Sequence, residues 1–371
     1  MSSKTEVCSG LVDDENPELF DIRAMPNQST EMKPGQLPVE TIKQFFEEGY
    51  IIVKDFFTTD ELNPVRDAIA DLVDDLAQKL YKAGKIPDLF TEYGLFDRLI
   101  KIDEAFPGAN IILHKTGNLP QAFRDLWSNE RLLNVIEQLI GPDIAGSPVW
   151  NLRTKTPQNE ATLVPWHQDS AYFDNESYRV LIPTAWIPLL DTNEINGGME
   201  VVRKAHAKGR VANHQCCYGN TWYVMMAEDE MSNTLGVDLK TDTLKCDIPY
   251  GGMLLFNNMT PHRSLPNISK DIRWSLDLRW QKPDEPYGLF GLKPGIVMRS
   301  SKDPNLKPDW DTFCSIDRTQ VQKESVKDIV EVPKLDDEFD TTIQGPWMKK
   351  WEIVHRNVHT EKHDEIERTK K

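Results

Sequence analysis

The chain has 371 residues, of which 39% are hydrophobic and 27% charged, a composition that excludes a disordered or fibrous protein. Its formal net charge of −16 disfavours nucleic acid and anionic membrane surfaces as partners. No apolar run approaches the roughly 20 residues that cross a bilayer, the N-terminus lacks the apolar segment of a secretion signal, and the five cysteines form no CxxC pair. We therefore expect a cytoplasmic protein with free thiols that binds neither nucleic acid nor a membrane.

The first part of the chain predicts an arm followed by helices. Residues 1–35 are polar and have no sustained periodicity, which indicates a flexible N-terminal arm. Residues 39–57 then change from a helical pattern to that of a short apolar strand. Thr59 is a candidate N-cap of a helix that ends near Gly84, and residues 121–141 predict one further helix.

From about residue 145 the pattern becomes that of β-strands. Short apolar runs separated by Gly, Pro and Asn turns are VWNLRT, VLIPTAWIPLL, MEVV, GGMLLFNN and RWSLDLRW. Together with the preceding helices they predict that residues 36–282 form one domain, mainly β with a helical outer layer. The expected architecture is a double-stranded β-helix, the jelly roll of cupin-like proteins. Residues 283–371 are rich in Pro and charge, and we expect a C-terminal extension that packs on the core and ends in a charged helix.

Two candidate metal ligands lie in the segment VPWHQDSAYF, which places His167 and Asp169 two residues apart. Residues i and i+2 of a strand face the same side, roughly 7 Å apart along the backbone. An imidazole and a carboxylate can therefore converge on one ion from a single strand end. The alternative is a half-buried strand histidine that hydrogen-bonds Asp169.

A third ligand has to come from another strand. The segment GGMLLFNNMTPHRSLPN places His262 shortly after the apolar run 253–256. Two histidines and one carboxylate leave three adjacent coordination positions open, which is how non-haem Fe(II) oxygenases hold an oxo acid and O2 together. His206 and His214, which follow the MEVV run, are interpreted as loop residues.

The residues after His262 indicate a site for the distal carboxylate of that oxo acid. Arg273 follows His262 by 11 residues (273 − 262) and has apolar neighbours. A guanidinium binds a carboxylate through two parallel hydrogen bonds, and the hydroxyl of Ser264 can donate beside it. The alternatives are a surface ion pair for Arg273 and a turn-capping role for Ser264.

These segments, together with the stretch QFFEEGYIIVKDFF, resemble the phytanoyl-CoA dioxygenase family over about residues 39–282. The resemblance implies a double-stranded β-helix that uses Fe(II) and the cosubstrates 2-oxoglutarate and O2. It also implies a set of site residues. The iron ligands are expected to be His167, Asp169 and His262, and the 2-oxoglutarate contacts Arg273, Ser264, Trp186 and Asn151, with Lys101 as a further candidate lysine.

The function implied by this resemblance is hydroxylation of a small-molecule substrate with release of succinate and CO2. The carboxylate of Asp169 argues against halogenation, because halogenases of this superfamily have a small residue there so that chloride can bind iron. Desaturation, epoxidation or cyclisation by the same iron centre stays an alternative, as does a non-catalytic jelly-roll binding protein. The oligomeric state is not predicted.

Overall fold

The computed structural model describes residues 24–115, 119–173, 177, 180–216, 223–289, 292, 294–316 and 360–362. The α-helices are α1 (Val39–Glu48), α2 (Thr59–Lys82), α3 (Arg98–Ala105), α4 (Ala109–Lys115), α5 (Gln121–Trp127), α6 (Glu130–Ile140), α7 (Glu228–Glu230), α8 (Leu239–Asp242) and α9 (Trp310–Ser315). The strands are β1 (Tyr50–Val53), β2 (Ile144–Gly146), β3 (Asn151–Lys155), β4 (Thr184–Pro188), β5 (Met199–Val202), β6 (His214–Cys216), β7 (Thr243–Cys246), β8 (Met253–Phe256), β9 (His262–Ser264), β10 (Arg273–Gln281), β11 (Ile296–Arg299) and β12 (Thr360–Lys362). Short 3₁₀ turns span Glu160–Thr162, Asp169–Tyr172 and Ala205–Lys208, and a π turn spans Met231–Leu235.

The predicted start of the second helix is wrong by one residue. Thr58, not Thr59, is the N-cap of α2, because its side chain accepts a hydrogen bond from the Glu61 backbone N–H. The Glu61 carboxylate accepts in return from the Thr58 backbone N–H, 2.8 Å away, which completes a capping box. The helix then ends at Lys82, two residues before solvent-exposed Gly84 and close to the predicted position.

The single helix predicted over residues 121–141 is wrong, because this stretch forms two helices, α5 and α6. The break falls at Ser128 and Asn129. The Asn129 side chain accepts hydrogen bonds from the backbone N–H groups of Arg131 and Leu132, so it caps α6 instead of continuing α5.

The end of the predicted N-terminal arm is bound to α6. The backbone N–H of Leu37 donates to Gln138 Oε1, and Gln138 Nε2 donates to the Leu37 carbonyl, both at 2.9 Å. Lys33 pairs with Glu137 at 2.7 Å, and Asn134 donates to the Pro34 carbonyl. The earlier part of the arm lies outside the described residues.

Two antiparallel sheets build the core. The larger has the order β1-β8-β4-β10-β2-β11, with β3 also paired to β10, and the smaller has the order β7-β5-β9. An apolar cluster joins Tyr50, Trp186 and Leu254 of the larger sheet to Met199 and Val201 of the smaller. Two facing sheets with helices outside them confirm the predicted mainly β jelly roll, a double-stranded β-helix with a helical outer layer.

The two faces of strand β10 lie in different environments. One face carries Trp274, Leu276, Leu278 and Trp280, which are buried in a core shared with the helices. The other face carries polar side chains that are buried as well, namely Arg273, Ser275, Asp277, Arg279 and Gln281. Since successive side chains of a strand alternate, this second set faces the interior between the sheets.

The C-terminal extension is described only in part. Trp310 and Phe313 of α9 pack on Trp127 with ring centroids 5.9 Å apart, so this helix packs on the core. The charged helix predicted at the C-terminal end lies outside the described residues except for Thr360–Lys362, which form a strand parallel to β6. Within the described ranges, no helix is both long and apolar enough to span a bilayer.

Candidate metal centre and the polar interior beside it

His167 and Asp169 do not lie on the one regular β-strand that the sequence predicts. Only His167 pairs with a strand. His167 forms an isolated antiparallel bridge with His262, through N–H to carbonyl bonds of 3.1 and 3.0 Å in the two directions. Asp169 then begins a 3₁₀ turn, because the backbone N–H of Ser170 donates to the Asn258 carbonyl instead of continuing the sheet. The two side chains nevertheless converge, as the spacing predicts.

The structure brings His167, Asp169 and His262 together in the buried interior of the protein. One donor atom from each residue lies within 4.8 Å of the other two, and all three residues are buried. Asp169 Oδ1 is 3.5 Å from His167 Nε2 and 3.7 Å from His262 Nε2. A single ion with metal–ligand bonds of about 2 Å can reach all three atoms.

Both imidazoles present Nε2 to this cluster. His167 Nδ1 lies 2.9 Å from the Pro165 carbonyl, and His262 Nδ1 lies 3.0 Å from the Thr260 carbonyl. A carbonyl only accepts, so each Nδ1 is a protonated nitrogen, and Nε2 is the atom that each ring can offer to an ion. Burial, with the neighbouring His167, lowers the pKa of His262 to about 3, so that this ring is neutral and able to bind a metal.

Asp169 supplies the negative charge. Burial acts to raise the pKa of this carboxyl, but the Arg279 guanidinium and the two histidines together hold it well below its usual range. Two imidazole Nε2 atoms and one carboxylate oxygen are the donor set that non-haem Fe(II) oxygenases use, so the residues present fit Fe(II).

Arg279 is a residue of this site that sequence analysis missed. Its Nε and Nη2 lie 3.1 and 3.0 Å from Asp169 Oδ2, and its Nη1 donates to Asn151 Oδ1 at 3.1 Å. The signal was present in RWSLDLRW, because the alternation of a strand places Arg279 on the same face as Arg273.

Arg273 and Ser264, the predicted carboxylate contacts, lie at the other end of the interior. Arg273 Nη1 donates to Ser275 Oγ at 2.6 Å and Nε to the Gly197 carbonyl at 3.2 Å. Its guanidinium carbon lies 5.3 Å from the ring centroid of Trp186, another predicted contact. Burial lowers the pKa of Arg273 to about 10, at which it stays charged at neutral pH.

Lys155 is the second missed residue. It pairs with Arg273 across β3 and β10, and its Nζ donates to Ser264 Oγ at 2.8 Å and to the Thr162 carbonyl at 2.9 Å. Burial, with the charges of Arg273 and Arg153, holds the pKa of Lys155 well below its usual range. Among the described residues neither Lys155 nor Arg273 has a carboxylate ion-pair partner, which makes this end of the interior suited to an anion.

The other histidine and lysine candidates lie elsewhere. Lys101 is on α3 and pairs with Glu104 at 2.8 Å, and the structure does not bring it to the interior. His214, interpreted as a loop residue, belongs to β6 and accepts a hydrogen bond from the backbone N–H of Gln168, between two ligands. His206 contacts a backbone carbonyl of α1.

The chain is similar to known oxygenases in sequence. A model of the phytanoyl-CoA dioxygenase family (PhyH) matches residues 45–275. Two relatives are 1-deoxypentalenic acid 11-beta-hydroxylases, from Streptomyces arenae (32% identical over 136 residues) and Streptomyces exfoliatus (33% over 140 residues). The matched segment is 36% of this chain and 46% of each relative, so the chain spans about half the length of these relatives.

A solved structure shares the fold. EctD from S. alaskensis, with 2-oxoglutarate and 5-hydroxyectoine, superimposes with a TM-score of 0.50 and 17% sequence identity. The superposition covers 74% of this chain and 87% of that chain. At this level of identity the likeness concerns the fold alone.

Proposed function

Because the chain belongs to the phytanoyl-CoA dioxygenase family, we propose that it is an Fe(II)- and 2-oxoglutarate-dependent dioxygenase that hydroxylates a small molecule. The observation that carries this proposal is the buried set His167, Asp169 and His262. The buried cations Arg273 and Lys155 in the same interior support it, since they suit a carboxylate.

The three ligands would hold Fe(II) through two Nε2 atoms and Oδ1 of Asp169. When bound, iron, 2-oxoglutarate and O2 supply the oxidation of a substrate C–H bond, with succinate and CO2 as co-products. The protein contributes fixed donor orientation, through the carbonyls of Pro165 and Thr260, and an interior that excludes water.

The distal carboxylate of 2-oxoglutarate would bind at Arg273. The Ser264 hydroxyl accepts a hydrogen bond from Lys155, so its own proton is left to donate to that carboxylate. Trp186 would form one wall of this pocket. A direct contact between Asn151 and 2-oxoglutarate stays a proposal. The hydrogen bond from Arg279 to Asn151 supports a second role for Asn151, which is to hold the Arg279 side chain in place.

Hydroxylation of a small molecule is the outcome that the relatives favour, because both are named as hydroxylases of 1-deoxypentalenic acid. Desaturation, epoxidation and cyclisation need the same three ligands and differ in how a substrate lies against the metal. A non-catalytic binding protein is disfavoured by the complete ligand set. A cytoplasmic location belongs to the proposal and is supported by the absence of any CxxC pair in the sequence.

An anaerobic titration tests the proposed function. Fe(II) and 2-oxoglutarate added without oxygen should produce the visible charge-transfer band of the chelate, and admission of air should release succinate. His167→Ala and Asp169→Ala should abolish both signals because each removes a ligand. A wild-type protein with neither the band nor succinate would exclude the dioxygenase function.

A further inference from the structure

We propose that Arg279 is a positioning residue that makes Asp169 bind the metal through one oxygen only. The inference rests on the proposed metal site and concerns a residue outside the predicted ligand set.

The two oxygens of Asp169 have different surroundings. Oδ2 accepts hydrogen bonds from Arg279 Nε at 3.1 Å and from Thr184 Oγ1 at 3.3 Å, and Arg279 Nη2 lies 3.0 Å away. Oδ1 instead faces Nε2 of His167 and His262. The lone pairs of Oδ2 are therefore directed to the strands β4 and β10, and Oδ1 is the oxygen left for an ion.

Arg279 is held on several sides. It pairs with Thr184 across β10 and β4, and its backbone carbonyl accepts from the Trp127 indole N–H at 3.2 Å. Its Nη1 donates to Asn151 Oδ1, and Nη2 lies 4.0 Å from Asp277 Oδ2. The side chain is only 5% exposed. A planar guanidinium held in this way presents two donors to Oδ2 in a fixed orientation.

A fixed orientation matters because carboxylates bind cations through one oxygen or through both. A carboxylate that turns to present both oxygens takes a further coordination position, and the reaction needs three positions free of protein. Arg279 opposes that turn, since it would break the hydrogen bond from Nε and the ion pair with Nη2 in a buried site. Arg279 also offsets the cost of burying the Asp169 charge before the metal binds.

Binding of Co(II) to the metal-free protein tests this role without turnover. Replacement of a residue that orients a metal ligand typically weakens metal affinity by about 10–100-fold, and we expect a loss in that range for Arg279→Met. The visible absorption of bound Co(II) should change as well, because it depends on the number and geometry of the ligands. Arg279→Lys keeps the positive charge but not the two parallel N–H donors of a guanidinium. Its affinity for Co(II) should therefore fall between those of Arg279→Met and the wild type.

Two further variants separate positioning from general damage. Thr184→Val removes one hydrogen bond from an uncharged donor to Oδ2 and should weaken Co(II) binding less than Arg279→Met does. Arg66→Met is the matched control, because Arg66 donates to the Leu189 carbonyl and stacks on Tyr250 without touching a ligand. Its Co(II) affinity and spectrum should equal those of the wild type.

If Arg279→Met does not fold, the Co(II) affinities and spectra of Arg279→Lys and Asn151→Ala test the positioning role instead. Asn151→Ala leaves the ion pair between Arg279 and Asp169 but removes the hydrogen bond that holds Arg279 Nη1. Wild-type Co(II) affinity and spectrum in the folded Arg279 variants would overturn the positioning role while leaving the metal site standing. A wild-type protein that does not bind Co(II) at all would overturn both proposals.

Discussion

Lys155 and Arg273 are two buried basic side chains that lack a carboxylate partner among the described residues. Both side chains are buried, they are partners across β3 and β10, and no described carboxylate pairs with either of them. Burial away from water, together with repulsion from the charge of Arg273, lowers the pKa of Lys155. A bound carboxylate relieves that repulsion, which is the physical reason to assign both residues to 2-oxoglutarate.

Substitution of the two cations should raise the requirement for 2-oxoglutarate. Arg273→Ala removes the fork and is expected to raise the half-saturating concentration by about 100-fold, as loss of a charged hydrogen bond of roughly 3 kcal/mol implies. Lys155→Met should raise it by less. Lys101→Ala is the control, since Lys101 pairs with Glu104 on α3. Succinate release against 2-oxoglutarate concentration measures each value, and an unchanged requirement in Arg273→Ala would remove Arg273 from the site.

Binding of 2-oxoglutarate should also take up protons. Because the pKa of Lys155 is lowered well below its usual range in the free protein, most of this lysine is neutral at a pH between that lowered pKa and its ordinary value near 10.4. A carboxylate bound nearby raises the pKa again, so up to about one proton enters per site in that pH window. Calorimetry of 2-oxoglutarate binding to Mn(II)-loaded protein, in two buffers of different ionisation enthalpy, measures this uptake.

The variant Lys155→Met tests whether Lys155 is the group that takes up those protons. Lys155→Met should bind 2-oxoglutarate with less proton uptake than wild type. Equal uptake in the two proteins would show that another group titrates.

At the scale of elements, β3 and β10 are joined by charge as well as by backbone hydrogen bonds. The pairing register places Arg153 opposite Ser275 and Asp277 opposite Asn151, so Arg153 and Asp277 are diagonal neighbours. Arg153 Nε donates to Asp277 Oδ2 at 2.7 Å, with 20% and 8% of the two side chains exposed. Polar residues occur on this face because the opposite face of β10 already packs on the helices.

Breaking this cross-strand pair should destabilise the protein. Arg153→Met leaves the Asp277 carboxylate buried beside fewer cations, and we expect a loss on the order of 3 kcal/mol in the free energy of unfolding. Urea unfolding followed by circular dichroism measures it. Lys245→Ala is the control, because Lys245 and Glu194 are each more than half exposed and their pairing is screened by water. Equal stability of the two variants would contradict the role given to the buried pair.

At the scale of the whole molecule, the site lies between the two sheets, and its ligands come from segments far apart in sequence. His167 bridges to β9 of the smaller sheet, whereas Arg279 and Arg273 belong to the larger one. An ion held by His167, Asp169 and His262 would be bound beside the smaller sheet, and Asp169 connects that site to the larger sheet through its hydrogen bonds from Arg279 and Thr184. Because the three ligands converge only in the folded chain, such an ion would bind only the native state. Ligand binding of this kind stabilises the native state by mass action.

Metal and cosubstrate should accordingly raise the thermal midpoint. At free ligand about 100 times the dissociation constant, the gain is about 2.7 kcal/mol for each ligand that binds only the native state. Differential scanning calorimetry of the wild type with Mn(II), and with Mn(II) and 2-oxoglutarate, measures the two increments. In His167→Ala the Mn(II) increment should disappear, and an increment as large as that of the wild type would place the bound ion elsewhere.

The sequence by itself determined the local parts of this protein. The spacing of His167 and Asp169, the apolar run before His262 and the alternation of RWSLDLRW all predict features that depend on neighbours within a few residues. The mainly β jelly roll followed from the same short patterns. The boundary error at Thr59 arose where two adjacent threonines can each serve as the N-cap, and the error over residues 121–141 arose where Asn129 caps a second helix inside a continuous helical pattern.

Only the tertiary structure decided which side chains share the interior. Lys155 stands beside Arg273 because β3 pairs with β10 in one register, and Arg279 reaches Asp169 because the 3₁₀ turn after His167 directs Oδ2 toward β10. Such contacts depend on strand register and on turns that close over long sequence separations. A shift of one residue in register would turn the other face of a strand inward, so sequence spacing cannot specify them.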